Sequence, residues 1–436
     1  MSARNRELLA LIPASLLVTG GFAAVFIQES NVLSNVSVTY GVIFLALCLA
    51  GHFVLRLTLP HADPYLFPLV AVLASFGLVM VYRIDDTLAR QQAQWFVIGL
   101  GLFAATLILL RDYRLLERYR YVIALGSIGL LILPRLPGIG SQTNGAYLGI
   151  HVGGLTFQPA EFAKIGIIVF LASYLRDTRQ LLVIGGRRVL GVAIPPLKHL
   201  GPLLLIWGAA MLLLVFIRDL GSALMFFGGF LAILYVATNR ASFPVIGLLL
   251  FALGAWFVGT HVGHVHDRVL AWEHPFDQAL YNRPGGSYQV AQGLFAQADG
   301  GVLGRGFGQA LLTVDGAHGQ TVHILPAAQT DLIYAVIVNE LGLAGACAVL
   351  LTYLLVIFRG FKVAMLARDS FSKLLAAGLT SVFALQVFVI VGGVTKVIPL
   401  TGVTLPFISY GGSSIVANFV LLALLLLVSE RARRPV

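Results

Sequence analysis

The chain has 436 residues and a formal net charge of +10; 58% of its residues are hydrophobic and only 11% are charged. A soluble protein needs roughly 25% charged residues to cover its surface, so this composition excludes a soluble multidomain enzyme and a disordered chain. Most of the chain must therefore face lipid. Its two cysteines, Cys48 and Cys347, lie in separate apolar runs and have neither metal-site nor disulfide-framework spacing.

Twelve apolar stretches come close to the length of about 20 residues that a helix needs to cross the hydrocarbon core of a bilayer. They cover residues 7–27, 39–56, 66–82, 94–110, 121–133, 161–175, 202–217, 221–238, 243–259, 331–358, 374–393 and 406–429. We therefore predict an all-α integral membrane protein with about 12 transmembrane helices.

The basic residues orient these helices. If the N-terminus lies in the cytoplasm, 20 of the 29 Lys and Arg residues fall in inner segments, 8 fall in outer segments, and Lys164 lies within a span. This excess fits the positive-inside rule and predicts a multi-pass protein of the cytoplasmic membrane with both termini in the cytoplasm. The net charge is explained by topology, and nucleic-acid binding is excluded because no basic stripe lies on a soluble face.

One outer loop, residues 260–330, is much longer than the others and is rich in Gly, His and Gln. Loops of that length in compact proteins usually carry function, so we expect the chemistry to reach water there. Nucleotide and metal motifs are missing, since the sequence contains no GxxxxGK[ST], no HExxH and no CxxC. We expect no cofactor and no protein metal site, with a divalent-cation requirement left open, and a substrate that arrives through the membrane or from the outer face.

Charged residues at the start of the sixth span form the first candidate site. Glu161 and Lys164 are three residues apart, so they share a helix face and can form an ion pair. Charges within a span are expensive and commonly mark function. Either the pair neutralises itself at the interface, or Lys164 binds an anionic headgroup while Glu161 fixes its pose; Gln158 precedes both.

Acidic residues near the starts of two later spans extend this set. Arg218 and Asp219 occupy the short outer turn before the eighth span, where a purely local ion pair is the alternative interpretation. Thr330 is expected to be the N-cap of the tenth span. Asp331 then lies in the first helical turn, where the helix dipole alone favours a carboxylate.

The last predicted span starts with irregular sequence. Two prolines, Pro399 and Pro406, and the pair Gly411-Gly412 interrupt the helical pattern there. Irregular backbone at membrane depth is tolerated only beside protein or a watery cavity. Its hydroxyl and N–H groups are therefore candidates for binding phosphate or sugar, with a merely kinked helix as the alternative; the side chains concerned are those of Ser409, Tyr410, Ser413 and Ser414.

Taken in chain order, these patches resemble the SEDS family of RodA/FtsW-type peptidoglycan glycosyltransferases. The matching motifs run from about residue 64 to the C-terminus and are Asn144-Gly145-Ala146, Gln158-Pro159-Ala160-Glu161 with Lys164, Asp219-Leu220-Gly221-Ser222, Tyr288-Gln289, Thr330-Asp331, Glu340-Leu341-Gly342 and Pro406-Phe407 through Ser414.

The resemblance implies a ten-helix core in residues 64–436, which includes the outer loop 260–330, and makes residues 1–63 an addition of two N-terminal transmembrane helices. The Arg368-Asp369-Ser370-Phe371 stretch, Gly392-Gly393-Val394-Thr395 and the extra helices are most similar to actinobacterial RodA-type members.

The activity implied is polymerisation of lipid II, a disaccharide-pentapeptide on undecaprenyl pyrophosphate, into glycan strands at the outer face of the membrane. A class B penicillin-binding protein is the implied partner, in cell elongation, division or sporulation. The catalytic carboxylate of the family is carried over to Asp277, with Glu273 in reserve. This chain departs from the family spacing, because Asp277 is two residues after Pro275 and Gln278 occupies the third position.

Positive groups are needed for the departing pyrophosphate, because cations or N–H groups can take up its charge. The cations favoured for this task are Lys164, Arg218, Lys396 and Arg83, with Asp219, Glu161 and Asp331 holding them in place.

Two other functions remain as alternatives. A flippase for lipid-linked precursors fits the span count and the intramembrane Lys164, although the inverted repeat often found in transporters is not visible. A catalytically inactive scaffold of the wall-synthesis complex would fit the glutamine at position 278.

Overall fold

The computed structural model describes residues 2–30, 35–136, 139–143, 146–152, 155–184, 187–189, 192–194, 201–202, 204–209, 211–212, 219–261, 263–283, 285–315 and 321–435. Within this part, eight helices are long and apolar enough to cross a bilayer. The all-α integral membrane fold predicted from composition is confirmed.

The helices follow one another as α1 (Ala3–Ala10), α2 (Ile12–Ser30), α3 (Asn35–Thr58), α4 (Leu66–Ile84), α5 (Asp86–Leu109), α6 (Leu115–Arg118), α7 (Arg120–Ile132), α8 (Pro159–Ile184), α9 (Leu220–Thr238), α10 (Ser242–His261), α11 (Gly263–Glu273), α12 (Gln278–Tyr281), α13 (Tyr288–Gly300), α14 (Ile333–Leu366), α15 (Ser370–Val394) and α16 (Gly412–Arg433).

Four of the twelve predicted spans are not among the eight long apolar helices. The fifth is the 13-residue α7, and the sixth is α8, which has 26 residues but carries charges at both ends. The apolar part of α10, the ninth, is Ser242–Trp256, and the seventh, residues 202–217, lies partly outside the described residues.

Short antiparallel strands occur only between helices in the described part. They are β1 (Gly140–Thr143), β2 (Ala146–Val152), β3 (Leu155–Phe157), β4 (Arg187–Val189), β5 (Val192–Ile194), β6 (Thr313–Asp315) and β7 (Thr321–His323). They form a three-stranded sheet in the order β1-β2-β3 and two hairpins, β4-β5 and β6-β7. In the three-stranded sheet Ile150 of β2 pairs with Phe157 of β3. Only Gln158 separates Phe157 from the start of α8.

Aspartates start several of the helices, because a carboxylate can accept the N–H groups that have no partner in the first helical turn. Asp85 accepts hydrogen bonds from Thr87 N and Leu88 N at the start of α5. Asp219 and Asp369 do the same for α9 and α15.

Helix α16 occupies the centre of the bundle. It packs along α5 and also contacts α14, α15 and α8. Its side chains are almost all buried, whereas α7 and α10 expose large apolar side chains such as Leu125 and Leu249. Lipid rather than water would cover those exposed apolar faces.

The N-terminal helices pack against the rest of the chain through α4 and α5. Glu7 is fully buried and is bound by Arg4 and by His52 Nδ1, the latter at 2.7 Å. Arg4 also donates to the carbonyl of Ala62, which precedes α4. The Glu7 ion pair lies within residues 1–63, and Asp63, which pairs with Arg359 at 3.2 Å and with Arg433, joins this segment to the remainder.

The described part of the long loop 260–330 consists of helices and a hairpin. It contains α11, α12, α13 and the β6-β7 hairpin. Residues 301–306 hydrogen-bond to an interruption in α14, where Gly342 has a φ of 67° and a Cβ would lie 2.3 Å from Gly304 N. Only glycine fits this close approach, so Gly342 fixes the loop to the helix.

Candidate functional site

The charged side chains of Glu161 and Lys164, in the first turns of α8, form a buried ion pair. Lys164 Nζ donates to Glu161 Oε2 at 2.6 Å and to Gln386 Oε1 at 2.8 Å. The exposed fractions of Glu161 and Lys164 are 5% and 2%. The predicted i,i+3 ion pair is present, and two side chains, those of Glu161 and Gln386, contact the Lys164 ammonium group.

Gln386 links this pair to the start of α16. Its Nε2 donates to the carbonyl of Thr404 at 2.9 Å and to Ser414 Oγ at 3.3 Å. Sequence reasoning missed Gln386, although a single glutamine inside the apolar run of α15 was a visible signal. Beside it, Ser413 Oγ accepts from the backbone N–H of Gln158 at 2.8 Å.

The irregular segment before α16 has its backbone groups satisfied by side chains. Ser409 Oγ donates to the carbonyl of Thr330 at 2.8 Å and accepts from Leu405 N at 2.8 Å. Gln92 donates to the carbonyl of Ser409 and accepts from Gly411 N. This is the condition under which irregular backbone persists at membrane depth, and it makes Ser409 a structural member of the segment.

The carboxylates of Glu161 and Asp219 both line a small polar cavity between α8, α9 and the irregular segment before α16. The cavity has a volume of about 40 Å³ and is lined by Gln158, Ala160, Glu161, Asp219, Ser222, Gly402, Val403 and Thr404. That volume accommodates a water molecule or two and is far too small for a sugar.

The Arg268 guanidinium is close enough to oppose the rise in pKa of both Asp219 and Asp331. Its Nη1 is 3.3 Å from the carbonyl oxygen of Thr401 and 3.4 Å from that of Leu400. Burial raises the pKa of Asp331 to about 6, and the Arg268 guanidinium opposes that rise. Burial also raises the pKa of Asp219, helped by the carboxylate of Glu161 and opposed by Ser222 and Arg268.

The sequence analysis counted Arg268 among the outer basic residues and the polar residues of the long loop, without a role in the reaction. Its position four residues before Trp272, one helical turn ahead of the Trp272–Pro275 segment, was the signal that could have singled it out.

The predicted catalytic carboxylates are exposed, in contrast to the α8 pair. Asp277 Oδ1 accepts hydrogen bonds from Ala279 N at 2.8 Å and Leu280 N at 3.1 Å, and so caps α12. Glu273 is the last residue of α11, and Lys396 Nζ lies 3.5 Å from its carbonyl oxygen. Trp272 Nε1 donates to the carbonyl of Lys396 at 3.0 Å, which fixes α11 against the segment that follows α15.

Helix α11 therefore connects the region of the polar cavity with the region around Lys396. It carries Arg268 at its centre, beside the polar cavity, and Glu273 at its end, beside Lys396. The structure brings together the α8 pair, the cavity carboxylates and the Lys396 end of α11 around residues 396–409.

Arg83 and Tyr288 both donate hydrogen bonds to backbone carbonyls of the loop 260–330. Arg83 Nη2 is 3.1 Å from Glu340 Oε1 and donates to the carbonyl of Gly308 at 2.7 Å, so it fastens the loop to α4 and α14. The Tyr288 hydroxyl donates to the carbonyl of His323 at 3.1 Å. Gln289 follows it in α13 and is partly exposed.

Tyr410 donates to Gln91 Oε1 at 2.5 Å. Arg218 and the Asn144-Gly145 motif lie outside the described residues.

The predicted N-cap role of Thr330 is wrong. Helix α14 begins at Ile333 and its N-cap residue is Leu332, without a side-chain cap. Thr330 Oγ1 is instead 3.4 Å from the carbonyl oxygen of Ala327, whose φ of 53° turns the chain before the helix can start. Asp331 accordingly lies before the first turn, not in it.

Among the described residues, no group of three or more His, Cys, Asp or Glu side chains is arranged to hold a metal ion. The acidic side chains of the site are distributed around cationic partners.

The chain matches the FtsW/RodA/SpoVE family, described as cell cycle protein, over residues 64–434. The peptidoglycan glycosyltransferase RodA of Mycobacterium tuberculosis is 41% identical over 446 residues, which cover 99% of this chain and 92% of that protein. The stage V sporulation protein E of Bacillus subtilis is 31% identical over 383 residues, 85% of this chain and 98% of that protein.

Solved structures agree. A chain of a peptidoglycan synthase complex, solved to show how polymerization and crosslinking are coordinated, superposes with a TM-score of 0.65 at 27% identity. It covers 86% of this chain and 99% of that one. The rod shape determining protein RodA of Thermus thermophilus gives a TM-score of 0.60 at 26% identity, with 86% and 98% covered.

The resemblance predicted from the motifs, including its actinobacterial RodA-like character, is confirmed by this match and by the mycobacterial relative. The chain belongs to the FtsW/RodA/SpoVE family of membrane proteins.

Proposed function

We propose that this chain is a peptidoglycan glycosyltransferase that polymerises lipid II at the outer face of the cytoplasmic membrane. The observation that carries the proposal is the exposed Asp277 carboxylate, which two backbone N–H groups hold at the start of α12, four residues after the end of α11, the helix that carries Arg268. The relatives that cover almost the whole chain are named peptidoglycan glycosyltransferases.

The reaction assigns one step to Asp277. A sugar hydroxyl of the acceptor attacks the anomeric carbon of the donor, and the bond from that carbon to the lipid diphosphate breaks. Asp277 accepts the hydroxyl proton as general base, on the face of the sugar opposite to the departing group, so the configuration inverts. Oδ2 accepts no hydrogen bond from the described residues, which leaves this oxygen for the proton.

Positive groups receive the charge of the departing diphosphate. Arg268 lies on α11, the helix that precedes Asp277, and Lys396 Nζ is 3.5 Å from the carbonyl oxygen of Glu273, the last residue of that helix. Lys164 and Arg218 remain proposed contacts of the same anion, and Arg83 supports the loop through Glu340. Glu161, Asp219 and Asp331 hold the cations in place.

The polar contacts proposed for the bound sugar and diphosphate come from the segments that surround these charges. They are the side chains of Gln158, Tyr288, Gln289, Thr330, Tyr410, Ser413 and Ser414; Ser409 is left out because its hydroxyl already bonds the backbone at Leu405 and Thr330.

The orientation follows from the charge asymmetry of the sequence. Ion pairs and hydrogen bonds join segments that the positive-inside rule places together, such as Arg359 and Arg433 with Asp63, and Arg114 with Asp369. Contacts at the opposite end of the bundle join Arg268 to Thr401. The arginine-rich end is assigned to the cytoplasm, which leaves Asp277 outside.

A class B penicillin-binding protein is the proposed partner. The similar chain of known structure belongs to a complex that both polymerises and crosslinks peptidoglycan. A transpeptidase beside the outer loop would receive glycan strands as they leave the site.

The test is polymer formation from lipid II by the purified protein with its partner. We expect Asp277→Asn to lower the rate by about 100-fold or more, because general-base catalysis contributes roughly 10²–10⁴-fold. Asparagine caps a helix as well as aspartate does, so this variant keeps the fold. Asp299→Asn is the matched control, since Asp299 is an exposed loop carboxylate paired with Arg305.

Three outcomes contradict the proposal or part of it. An unchanged rate in Asp277→Asn together with a large loss in Glu273→Gln moves the base to Glu273. Lipid II flipping by the protein in vesicles without polymer assigns it to transport. If the protein neither polymerises nor flips lipid II in the presence of its partner, the remaining hypothesis is a catalytically inactive scaffold, in which Gln278 occupies the family's catalytic position.

A further inference from the structure

A second charged groove lies at the other end of α8. It has a volume of about 430 Å³ and is lined by Arg114, Glu117, Arg118, Arg120, Arg176 and Asp177, with Tyr121 at its edge. Arg176 follows Glu161 by 15 residues, which is about 22 Å along a helix axis. The groove therefore lies near the opposite boundary of a hydrocarbon core about 30 Å thick, far from the site described above.

The groove is lined by four arginines and two carboxylates, and Asp369 adds a third carboxylate from outside the lining. Arg176 pairs with Glu117, Arg120 with Asp177, and Arg114 with Asp369. Arg118 is exposed and pairs with no carboxylate in the part of the chain that the structure describes; its guanidinium lies 5.9 Å from the Tyr119 ring centroid. A planar guanidinium in this setting matches a phosphate in charge and geometry.

The surface beside the groove is apolar and faces lipid. Tyr119 and Tyr121 are 52% and 51% exposed, and Val122 and Leu125, further along α7, are 68% and 72% exposed. Tyrosines are enriched where a membrane protein crosses the headgroup layer. A ligand that contacts both surfaces has an anionic head and acyl chains, and a soluble phosphate compound uses only the first.

We propose that this groove binds the phosphate headgroup of an anionic phospholipid, with the acyl chains along the exposed face of α7. By the positive-inside assignment this lipid comes from the cytoplasmic leaflet, where basic residues at helix ends attract anionic lipids. The site is independent of the glycosyltransferase reaction and would exist in an inactive scaffold too.

The probe is dioctanoyl phosphatidylglycerol, titrated into the full-length protein in a neutral detergent, with dioctanoyl phosphatidylcholine as the zwitterionic comparison. The readout is the thermal midpoint as a function of lipid concentration. We expect Arg118→Ala to weaken phosphatidylglycerol binding about fivefold, the effect of one arginine near an anionic surface. Asp177→Asn should strengthen binding by a similar factor, because it releases Arg120, and a gain of affinity cannot come from misfolding.

Arg90→Ala is the matched control, since Arg90 is an exposed arginine paired with Asp86 on α5, away from the groove. It should bind the lipid as the unmodified protein does. Equal binding of the two lipids, an unchanged affinity in Arg118→Ala, or a loss in Asp177→Asn would overturn the proposal. Competition by glycerol 3-phosphate at the concentration of the lipid would assign the groove to a soluble phosphate compound instead.

Discussion

The two acidic parts of the candidate site differ in their surroundings. Glu161 is buried and bound to Lys164, which Gln386 also holds, whereas Asp277 is exposed and held only through backbone N–H groups. A buried charge whose partners are all in place resists change, because breaking the pair leaves a charge without solvent. An exposed carboxylate fixed through one oxygen can exchange protons with a substrate. The first region thus maintains the geometry, and the second is suited to chemistry.

Removing the ammonium group of Lys164 should have the largest effect on stability. We expect Lys164→Met to destabilise the protein by about 3–5 kcal/mol, the usual result of breaking a buried ion pair, and to lower the thermal midpoint in detergent strongly. The double variant Glu161→Gln with Lys164→Met should regain most of the loss, because no buried charge remains unpaired.

Lys373→Met is the control for this substitution, since Lys373 is exposed on α15 and its removal should leave the midpoint nearly unchanged. An equal loss in both lysine variants, or a double variant no better than Lys164→Met, would show that the buried pair does not stabilise the fold.

Much of this architecture could be predicted from the sequence. Apolar runs gave the long helices, and the spacing of Glu161 and Lys164 gave their pairing, because both depend on neighbours within one helix. Gln386 could not be assigned in this way, since its partners Lys164 and Thr404 come from other segments. A single sequence does not show which segments distant along the chain will meet.

The error at Thr330 has a similar cause. A threonine before an apolar run is typical of an N-cap, but the Thr330 carbonyl accepts a hydrogen bond from Ser409. The turn at Ala327 moves the helix start to Ile333. A tertiary contact outweighed the local preference, so a rule based on local sequence placed the boundary too early.

Asp331 is intermediate between the buried Glu161 and the exposed Asp277. The pH dependence of stability tests the comparison at this residue. Asp331 precedes the α14 span, and burial raises its pKa to about 6, while an unfolded aspartate titrates near 3.9. The folded state therefore holds the proton more tightly. The stability this gives is fully present below about pH 4 and is lost as the pH rises through about 6.

We expect Asp331→Asn, which stays neutral, to be more stable than the unmodified protein by about 1–2 kcal/mol at pH 8 and to show no advantage near pH 4. Thermal midpoints across this range measure the effect, with Asp299→Asn as the control. Parallel pH profiles for the Asp331 variant and the unmodified protein would contradict the raised pKa.

The smallest expected effect on stability is at Asp277, and it separates the two roles of that residue. Its capping bonds to Ala279 and Leu280 support only the single turn of α12, so Asp277→Ala should cost about 1 kcal/mol and Asp277→Asn almost nothing. Both variants lack the carboxylate and should lose polymerisation equally, although their thermal midpoints differ. If activity instead followed the midpoints, with Asp277→Asn active and Asp277→Ala not, then the contribution of Asp277 would be the shape of the loop rather than the removal of a proton.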